Sequence, residues 1–441
     1  MSQIELTATA ADMGRAIDAG TLDPVALTEA MLDAIDAAPQ AADIYARTMP
    51  DRARAEAQAA AARAKAGTRR GPLDGVPISW KDLYDTAGVA TESGSALLKG
   101  RVPARDAQVL ENAAAAGLVC LGKTHQTELA FSGLGVNPVT ATPPNRHDPD
   151  FAPGGSSSGA AASVAFGLAA AGIGSDTGGS VRIPAAWNDL VGFKTSHGAL
   201  PTGGVVPLCA RFDSIGPLCR SVEDAALLYA AMGAAPPADL EGASLAGARL
   251  LILQSASLPP VDDAPQAAFE DACARLSAAG ARIDTASPDA VGEAMKLAGI
   301  FPAEAYGTWG ETIEAAPELM YPPVRKRFEA GRKVGGPQFV AEWRRLDALR
   351  LEFRAATAAY DAVLLPTVTT LPPKVADLLA SEEVFTESNL LALRNTRVGN
   401  LMDLTGLTLP TGRPHCGIMA LGPAGSEARM LRLAAAMEKS L

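Results

Sequence analysis

Aromatic residues and positive charge are both scarce in this chain of 441 residues. Phe, Trp and Tyr make up only 5% of the sequence, so we expect a core of small and aliphatic side chains. Lys and Arg number 38 against 49 Asp and Glu, which gives a formal net charge of -11. Because no basic patch is present, the composition argues against direct binding to nucleic acid.

Cysteine and histidine are few and scattered. The five cysteines include no Cys-x-x-Cys pair, and the four histidines are isolated from one another. His415 adjoins Cys416, but neighbouring residues on a strand point to opposite faces, so they do not form a ligand pair. The chain therefore lacks the patterns of a disulfide framework and of a structural metal site.

Long apolar runs are also missing. The stretch 160–174 is apolar, but it is short for a membrane span and is interrupted by Gly167 and Gly172. The first residues, MSQIELTATAADMG, lack the basic segment and following apolar segment that mark a secretory signal. These features predict a cytoplasmic protein that makes no membrane contact.

Short β-like segments alternate with helical segments along most of the chain. Asp23-Pro24 is typical of a helix start, and an alanine-rich helix is expected over 52–65. Such alternation favours an α/β fold, with a mixed central β-sheet covered by helices on both faces. The predicted strands are 76–80, 118–122, 168–175, 248–254, 282–286, 361–366 and 416–421.

Two clusters of glycine and serine flank a segment of small and apolar residues. The first is GGSSSG at 154–159, and the second is TGGS at 177–180. A linker would not need the apolar residues between them, and a Walker loop would need Gly-Lys-Ser/Thr. The first cluster fits the Gly-x-Ser-x-Gly pattern of α/β-hydrolases, but no convincing strand precedes it and its Asp and His partners cannot be placed.

The second cluster suits acyl transfer. Glycines let successive backbone N–H groups turn toward one point, as an oxyanion hole requires, and the row DTGGS ends in a hydroxyl. A serine nucleophile needs a base, and a lysine can supply it where no histidine is available. Lys81 ends the apolar run ISWK, where burial would lower its pKa, although taken alone it is typical of an ordinary strand end.

These segments together resemble the amidase signature family. The resemblance is dense over 70–230 and weaker in the tail. It implies one amidase-signature domain over 1–441, with N-terminal helices at 1–67, the signature core at 70–230, a variable and mostly helical cap or insertion at 240–360, and the C-terminal part of the sheet at 361–441. The longest matching stretches are GPLDGVPISWKDLYDTAGVATESGS at 71–95, GLVCLGKTHQTELAFSG at 117–133 and PGGSSSGAAASVAFGLAAAGIGSDTGGSVRIPAAWNDLVGFKTSHGALP at 153–201.

Carried over by position, the resemblance implies a Ser–cis-Ser–Lys triad that needs no metal or cofactor. Ser180 would be the nucleophile, Lys81 the base, and Ser156 the bridging serine after a cis peptide bond. The oxyanion hole would be formed by the N–H groups of Thr177, Gly178, Gly179 and Ser180. The residues expected to bind substrate or support the triad beside it are Ala130, Phe131, Ser132 and Ser157.

Other positions bear on the surroundings of this site. Asp176 and Arg182 are expected to stabilise the loop rather than to touch substrate. Arg211 stands where relatives have a small or apolar residue, so it either meets an acidic substrate group or lies on the surface. Met419 stands where glutamine is frequent, in a tail shorter than the usual strand–turn–strand, so specificity does not transfer from that side of the pocket.

The resemblance implies hydrolysis of a small-molecule carboxylic amide. Alternatives in the family are the glutaminase component of a tRNA-dependent amidotransferase and a hydrolase of carbamates or ureas, while the intact triad argues against a non-enzymatic binding protein. After Phe131 the chain reads SGLGVNPVTATPPN, whereas the amidotransferase glutaminases typically resemble MGSSTENSAFG, which favours a free-standing hydrolase. A homodimer is also considered.

Overall fold

The computed structural model describes residues 4–233, 235–254 and 261–441. Residues 1–3 of the predicted N-terminal region, residue 234, and residues 255–260 of the predicted cap lie outside the described residues. The described strands form one sheet of eleven. They are β1 Tyr45–Thr48, β2 Pro77–Lys81, β3 Val119–Thr124, β4 Ala171–Asp176, β5 Val191–Lys194, β6 Ser214–Cys219, β7 Arg249–Leu253, β8 Arg282–Ala286, β9 Ala362–Pro366, β10 Leu404–Pro410 and β11 Gly417–Pro423.

The sheet is mixed, as predicted. Its strand order is β1-β3-β2-β4-β6-β5-β10-β11-β9-β7-β8. Strand β2 pairs in parallel with β3 and β4, and β7 pairs in parallel with β8 and β9. The other pairs are antiparallel. Helices cover both faces, so the predicted α/β architecture is confirmed, whereas the division into one domain stays a prediction.

The described residues form seventeen α-helices, which pack on the sheet and on one another. They are α1 Ala10–Asp18, α2 Pro24–Ala37, α3 Ala41–Ile44, α4 Pro50–Ala66, α5 Gln108–Ala115, α6 Ser158–Ala165, α7 Arg182–Trp187, α8 Val222–Gly233, α9 Asp263–Ala278, α10 Asp289–Met295, α11 Ile300–Ala315, α12 Pro322–Glu329, α13 Gly336–Thr357, α14 Val375–Ala380, α15 Glu382–Arg394, α16 Thr396–Leu401 and α17 Glu427–Glu438.

Local signals located most of these elements. Helix α2 begins at Pro24, and the Asp23 side chain caps it by accepting hydrogen bonds from two backbone N–H groups. All seven predicted strands are present, with ends shifted by a few residues. Four strands, β1, β5, β6 and β10, were not predicted, because β1 and β5 are only four residues long and β6 and β10 contain glycine and proline.

The segment between the two serine clusters is a buried helix and strand in close contact. Helix α6 and strand β4 are almost entirely buried and consist mainly of alanine, glycine and serine. A Cβ atom added to Gly172 would lie 2.6 Å from the carbonyl oxygen of Ala160, nearer than Cβ atoms come to such an oxygen. Small residues are therefore required here, and the close packing holds the two clusters side by side.

The cysteines all lie inside the fold. Cys120, Cys209, Cys219, Cys273 and Cys416 are buried and free of disulfides. Among the helices of residues 4–233, 235–254 and 261–441, none is both long enough and apolar enough to cross a membrane.

Candidate active site

Lys81 is the last residue of β2, an inner strand of the sheet. This strand is fully buried, and Lys81 itself has no exposed surface. Its Nζ donates hydrogen bonds to Ser156 Oγ at 2.7 Å and to Ser175 Oγ at 2.9 Å. The amine of Lys81 therefore lies against two hydroxyls rather than against a carboxylate.

Burial decides the protonation of Lys81. Loss of hydration lowers the pKa of the Lys81 amine to about 7, although the negative charges of Asp213 and Asp176 act in the opposite direction. A lysine with this pKa is partly neutral near physiological pH. It can therefore accept a proton, which an ordinary surface lysine cannot do at that pH.

Ser156 is held by its main chain. The Gly155–Ser156 peptide bond is cis, as the resemblance implied. The Gly155 N–H donates to the carbonyl of Gly133 at 2.8 Å, and the carbonyl of Ser156 accepts from the Thr127 N–H at 3.1 Å. The next residue, Ser157, donates its N–H to the Ser180 carbonyl at 3.2 Å. This last bond ties the two serine clusters together through backbone atoms.

Ser180 lies in the turn between β4 and α7, and a buried ion pair fixes that turn. Arg182 donates to both carboxylate oxygens of Asp176, at 3.0 Å and 2.9 Å. Asp176 also accepts from the backbone N–H groups of Gly179 and Val181. Burial alone would raise the pKa of Asp176, but the charge and hydrogen bonds of Arg182 hold it well below its usual range. The expected stabilising role of both residues agrees with these contacts.

The four backbone N–H groups predicted to form an oxyanion hole all lie in this turn. The Gly179 N–H, one of the four, donates to Asp176 Oδ1 at 2.9 Å. Among the described residues, no backbone hydrogen bond engages the N–H groups of Thr177, Gly178 or Ser180. Gly179 has φ 137°, and a Cβ added there would lie 2.1 Å from Thr396 Oγ1, so the turn requires glycine at this position.

One predicted link of the triad is present and the other is not. Lys81 contacts Ser156, but within the described part of the chain no side-chain hydrogen bond joins Ser156 to Ser180. Sequence reasoning also missed Ser175, which shares the Lys81 Nζ. A serine in an otherwise small and apolar strand could have signalled it. Ser157 hydrogen-bonds to the backbone of Ser175, so it helps to hold Ser175 in place beside Lys81.

A cavity opens beside Ser180, and the predicted substrate-binding segment forms part of its wall. Ala130, Phe131 and Ser132 all line it, whereas Ser157 is buried and does not. Ser132 Oγ donates to Asn389 Oδ1 at 3.0 Å, which ties this wall to α15. The lining residues are Ala130, Phe131, Ser132, Thr177, Gly178, Ser180, Leu208, Phe301, Arg327, Leu393 and Arg397.

Arg211 and Met419, two positions where the sequence departs from the family, do not line this cavity. Arg211 is exposed, and its guanidinium lies over the rings of Phe339 and Trp343 at 5.5 Å and 5.2 Å from their centroids. Of the two alternatives for Arg211, the surface position is therefore the one observed. Met419 is buried, and its Sδ accepts a contact from Arg182 Nη1 at 3.2 Å.

Comparisons with known proteins agree with this geometry. The Amidase family model matches residues 26–431. The chain is 34% identical over 405 residues to the 2-amino-5-chloromuconic acid deaminase of Comamonas testosteroni, a match that covers 88% of this chain and 86% of that protein. It is 31% identical to the A component of the glutamyl-tRNA(Gln) amidotransferase of Symbiobacterium thermophilum, covering 98% and 96%. A crystal structure of an amidase superposes with a TM-score of 0.87 at 28% identity, covering 98% of this chain and all of that one.

Proposed function

Because the chain belongs to the amidase family, whose members hydrolyse amides, we propose that it cleaves the C–N bond of a small carboxylic amide with Lys81, Ser156 and Ser180. One observation carries the proposal. The Nζ of a fully buried lysine lies 2.7 Å from Ser156 Oγ, and the residue after Ser156 is bonded to the backbone of Ser180 at the cavity.

The proton moves from Ser180 to Lys81 in two steps. Neutral Lys81 takes the proton of Ser156, and Ser156 takes that of Ser180. The second step requires the Ser180 side chain to take up a staggered rotamer that points toward Ser156. Ser180 Oγ then attacks the amide carbonyl carbon, and the new oxyanion accepts hydrogen bonds from the free N–H groups of Thr177, Gly178 and Ser180.

The second half of the reaction releases the product. The proton on Lys81 returns through Ser156 to the leaving nitrogen, the C–N bond breaks, and an acyl-enzyme on Ser180 remains. Water then attacks the acyl carbon and gives a proton to Lys81, and Lys81 returns a proton through Ser156 to Ser180 Oγ as the acyl C–Oγ bond breaks. Hydrolysis yields a carboxylic acid and an amine or ammonia, and it restores the free hydroxyl of Ser180.

A second candidate is the glutaminase component of a tRNA-dependent amidotransferase. The relative from Symbiobacterium thermophilum matches nearly the full length of both chains, which favours keeping this candidate. Such a glutaminase would cleave glutamine and pass ammonia to partner proteins. A free-standing hydrolase would instead act alone and show little preference for glutamine. Carbamates and ureas suit the same chemistry, so they belong in the same assay.

The test is release of ammonia or amine by the purified chain alone. Small aliphatic and aryl amides, glutamine, a carbamate and a urea are compared, with Ser180→Ala as the inactive control. We expect hydrolysis of an amide without any partner. Cleavage of glutamine only, and only with amidotransferase partners and tRNA present, would establish the second candidate instead. The homodimer and the cytoplasmic location stay predictions, and light scattering of the purified chain tests the first.

A further inference from the structure

Two arginines lie on the wall of the cavity that contains Ser180. Arg327 comes from α12 and Arg397 from the start of α16, and both side chains are partly buried. Burial, together with the nearby charge of Arg397, lowers the pKa of Arg327 to about 9. Burial also lowers the pKa of Arg397, as does the charge of Arg394. Two positive charges therefore share one small space.

Within the described part of the chain, neither of the two arginines has a negative partner. Among residues 4–233, 235–254 and 261–441, no carboxylate lies within ion-pair distance of either guanidinium. Arg327 donates its Nε–H to the Phe131 carbonyl at 2.8 Å, and its guanidinium lies over the Phe131 ring at 4.5 Å. Its two terminal NH₂ groups have no acceptor among the described residues. Arg397 lies over the Phe301 ring at 5.6 Å.

Several other cations with buried or partly buried side chains have carboxylate partners, whereas the buried Lys194 and the partly buried Arg220 donate to backbone carbonyls. Arg182 binds Asp176, Arg63 binds Asp74, and Lys123 binds Asp82. Two like charges placed together away from water are unfavourable unless an anion joins them. Guanidinium groups present N–H donors in a planar fork, which matches the two oxygens of a carboxylate. Two arginines on one cavity wall, without a carboxylate partner among the described residues, are therefore suited to binding an anionic group such as a carboxylate.

We propose that the substrate carries a carboxylate, which Arg327 and Arg397 bind while its amide carbonyl lies at Ser180. The substrate class is a monoamide of a dicarboxylic acid. Water adds its OH to the acyl carbon and its proton to the leaving nitrogen, so the products are a dicarboxylate and ammonia. This inference rests on the proposed function, because it assigns the amide end of the same molecule to Ser180.

The cavity also distinguishes this substrate class from an amino-acid amide. None of its eleven lining residues is acidic, and Asp213, which lines the adjoining cavity, already accepts hydrogen bonds from Thr177 Oγ1 and from the N–H groups of Leu208 and Cys209. The ammonium group of glutamine would meet two guanidinium charges. We therefore expect a carboxylate without a neighbouring amine to be preferred.

The first experiment compares matched substrates on the unmodified enzyme. Malonamate, succinamate and glutaramate provide three chain lengths, butanamide replaces the carboxylate of succinamate by a methyl group, and glutamine adds an ammonium group to glutaramate. We expect kcat/KM for the best monoamide to exceed that for butanamide by about 100-fold or more, as for loss of a buried charge partner. Equal rates for butanamide and succinamate would overturn the carboxylate while leaving the proposed function intact.

Substitutions then test whether the two arginines bind the substrate carboxylate. Arg327→Gln and Arg397→Gln should each reduce kcat/KM for the monoamide by about 30-fold or more, mainly through KM, and should affect butanamide far less. Lys326→Gln is the matched control, because it removes one positive charge from the exposed face of the same helix. If the arginine variants lost equal kcat/KM on charged and neutral amides, the arginines would maintain the shape of the site without binding the carboxylate.

Binding separates this inference from the proposed function. Ser180→Ala enzyme is titrated calorimetrically with succinamate and with butanamide, which requires no cleavage. We expect the anion to bind more tightly, its affinity to fall with added salt, and Arg397→Gln to abolish the difference. Arginine-dependent binding of the anion, without hydrolysis of any amide by unmodified enzyme, would support the anion site and overturn the proposed chemistry. Equal binding of both molecules would overturn the anion site.

Discussion

The arginines on the two sides of the cavity differ in whether a carboxylate pairs with them. On the side of Ser180, Arg182 is fully buried, and its guanidinium is paired with Asp176 and bonded to Asn400 and to the Thr396 carbonyl. On the other side, Arg327 and Arg397 face the cavity with no carboxylate partner among the described residues. An arginine whose N–H donors are all bonded within the protein holds the surrounding backbone in place. An arginine with unused donors can offer them to a ligand. Stability and specificity are therefore expected to depend on different arginines.

Substitution of Lys81 is expected to have the largest effect on activity. Lys81 belongs to neither set of arginines, so its loss should affect only the chemical step. Lys81→Ala should lower kcat by about 10⁴-fold on charged and neutral amides alike, with little change in KM. The rate of ammonia release at saturating substrate measures this loss of kcat. Lys194→Met is the matched control, since Lys194 is also fully buried but donates only to backbone carbonyls, and it should keep most of the activity. Full activity in Lys81→Ala would refute the proton route.

Arg182 tests the claim that the paired side carries stability. Arg182→Gln leaves the Asp176 carboxylate buried without its cation, so the free energy of unfolding should fall by about 3–5 kcal/mol. Urea denaturation measures the loss. Arg211→Gln serves as the control, because that arginine is exposed and its contacts with two aromatic rings should contribute only about 1 kcal/mol. Equal stabilities of the two variants would mean that the ion pair does not hold the turn.

The pH dependence of activity follows from the same lysine. Since burial lowers the pKa of Lys81 to about 7, kcat/KM should fall about tenfold per pH unit below that value and level off above it. The unfolded chain restores the ordinary pKa of 10.5, so it binds more protons than the folded chain between about 7 and 10.5. The free energy of unfolding should therefore rise with pH across this window.

Two measurements check the pH prediction. A pH profile of kcat/KM on a neutral amide avoids titration of the substrate. Urea denaturation of Lys81→Met at several pH values should lack the part of the rise that comes from Lys81. An activity profile centred near the ordinary lysine pKa would contradict the effect of burial.

Substitution of Arg327 is expected to affect stability far less than substitution of Arg182. Arg327→Gln loses the hydrogen bond to Phe131 and the contact with its ring, but it also removes a charge beside Arg397. These changes oppose one another, so the free energy of unfolding should move by less than about 1 kcal/mol. The same urea experiment measures it. A loss as large as that expected for Arg182→Gln would erase the distinction between the two sides.

Sequence reasoning located one side of the cavity much better than the other. The strand that ends in Lys81 and both serine clusters lie within 70–230, where local patterns and the family resemblance coincide, and the structure brings them together. Sequence reasoning did not foresee that the Gly179 N–H donates to Asp176, because this bond depends on the direction in which the Asp176 carboxylate points. Residue spacing alone does not fix such a direction.

The other side depends on contacts between distant parts of the chain. Arg327 meets the carbonyl of Phe131, which lies 196 residues earlier. Nothing local separates Arg327 from its neighbours Arg325 and Lys326, since all three are basic residues on one short helix. Only the packing of α12 and α16 against the signature core decides which of these charges faces the cavity.

The buried thiols described above make this protein suitable for site-directed labelling. Burial raises the pKa of all five cysteine thiols, with Cys416 the least shifted, at about 11. Thiol reagents attack thiolates, so the native cysteines should react slowly while the chain stays folded. A cysteine introduced on the exposed face of α12, such as Lys326→Cys, should therefore be modified selectively. A fluorophore attached there would report movement of the cavity wall during ligand binding, with no need to remove native cysteines first.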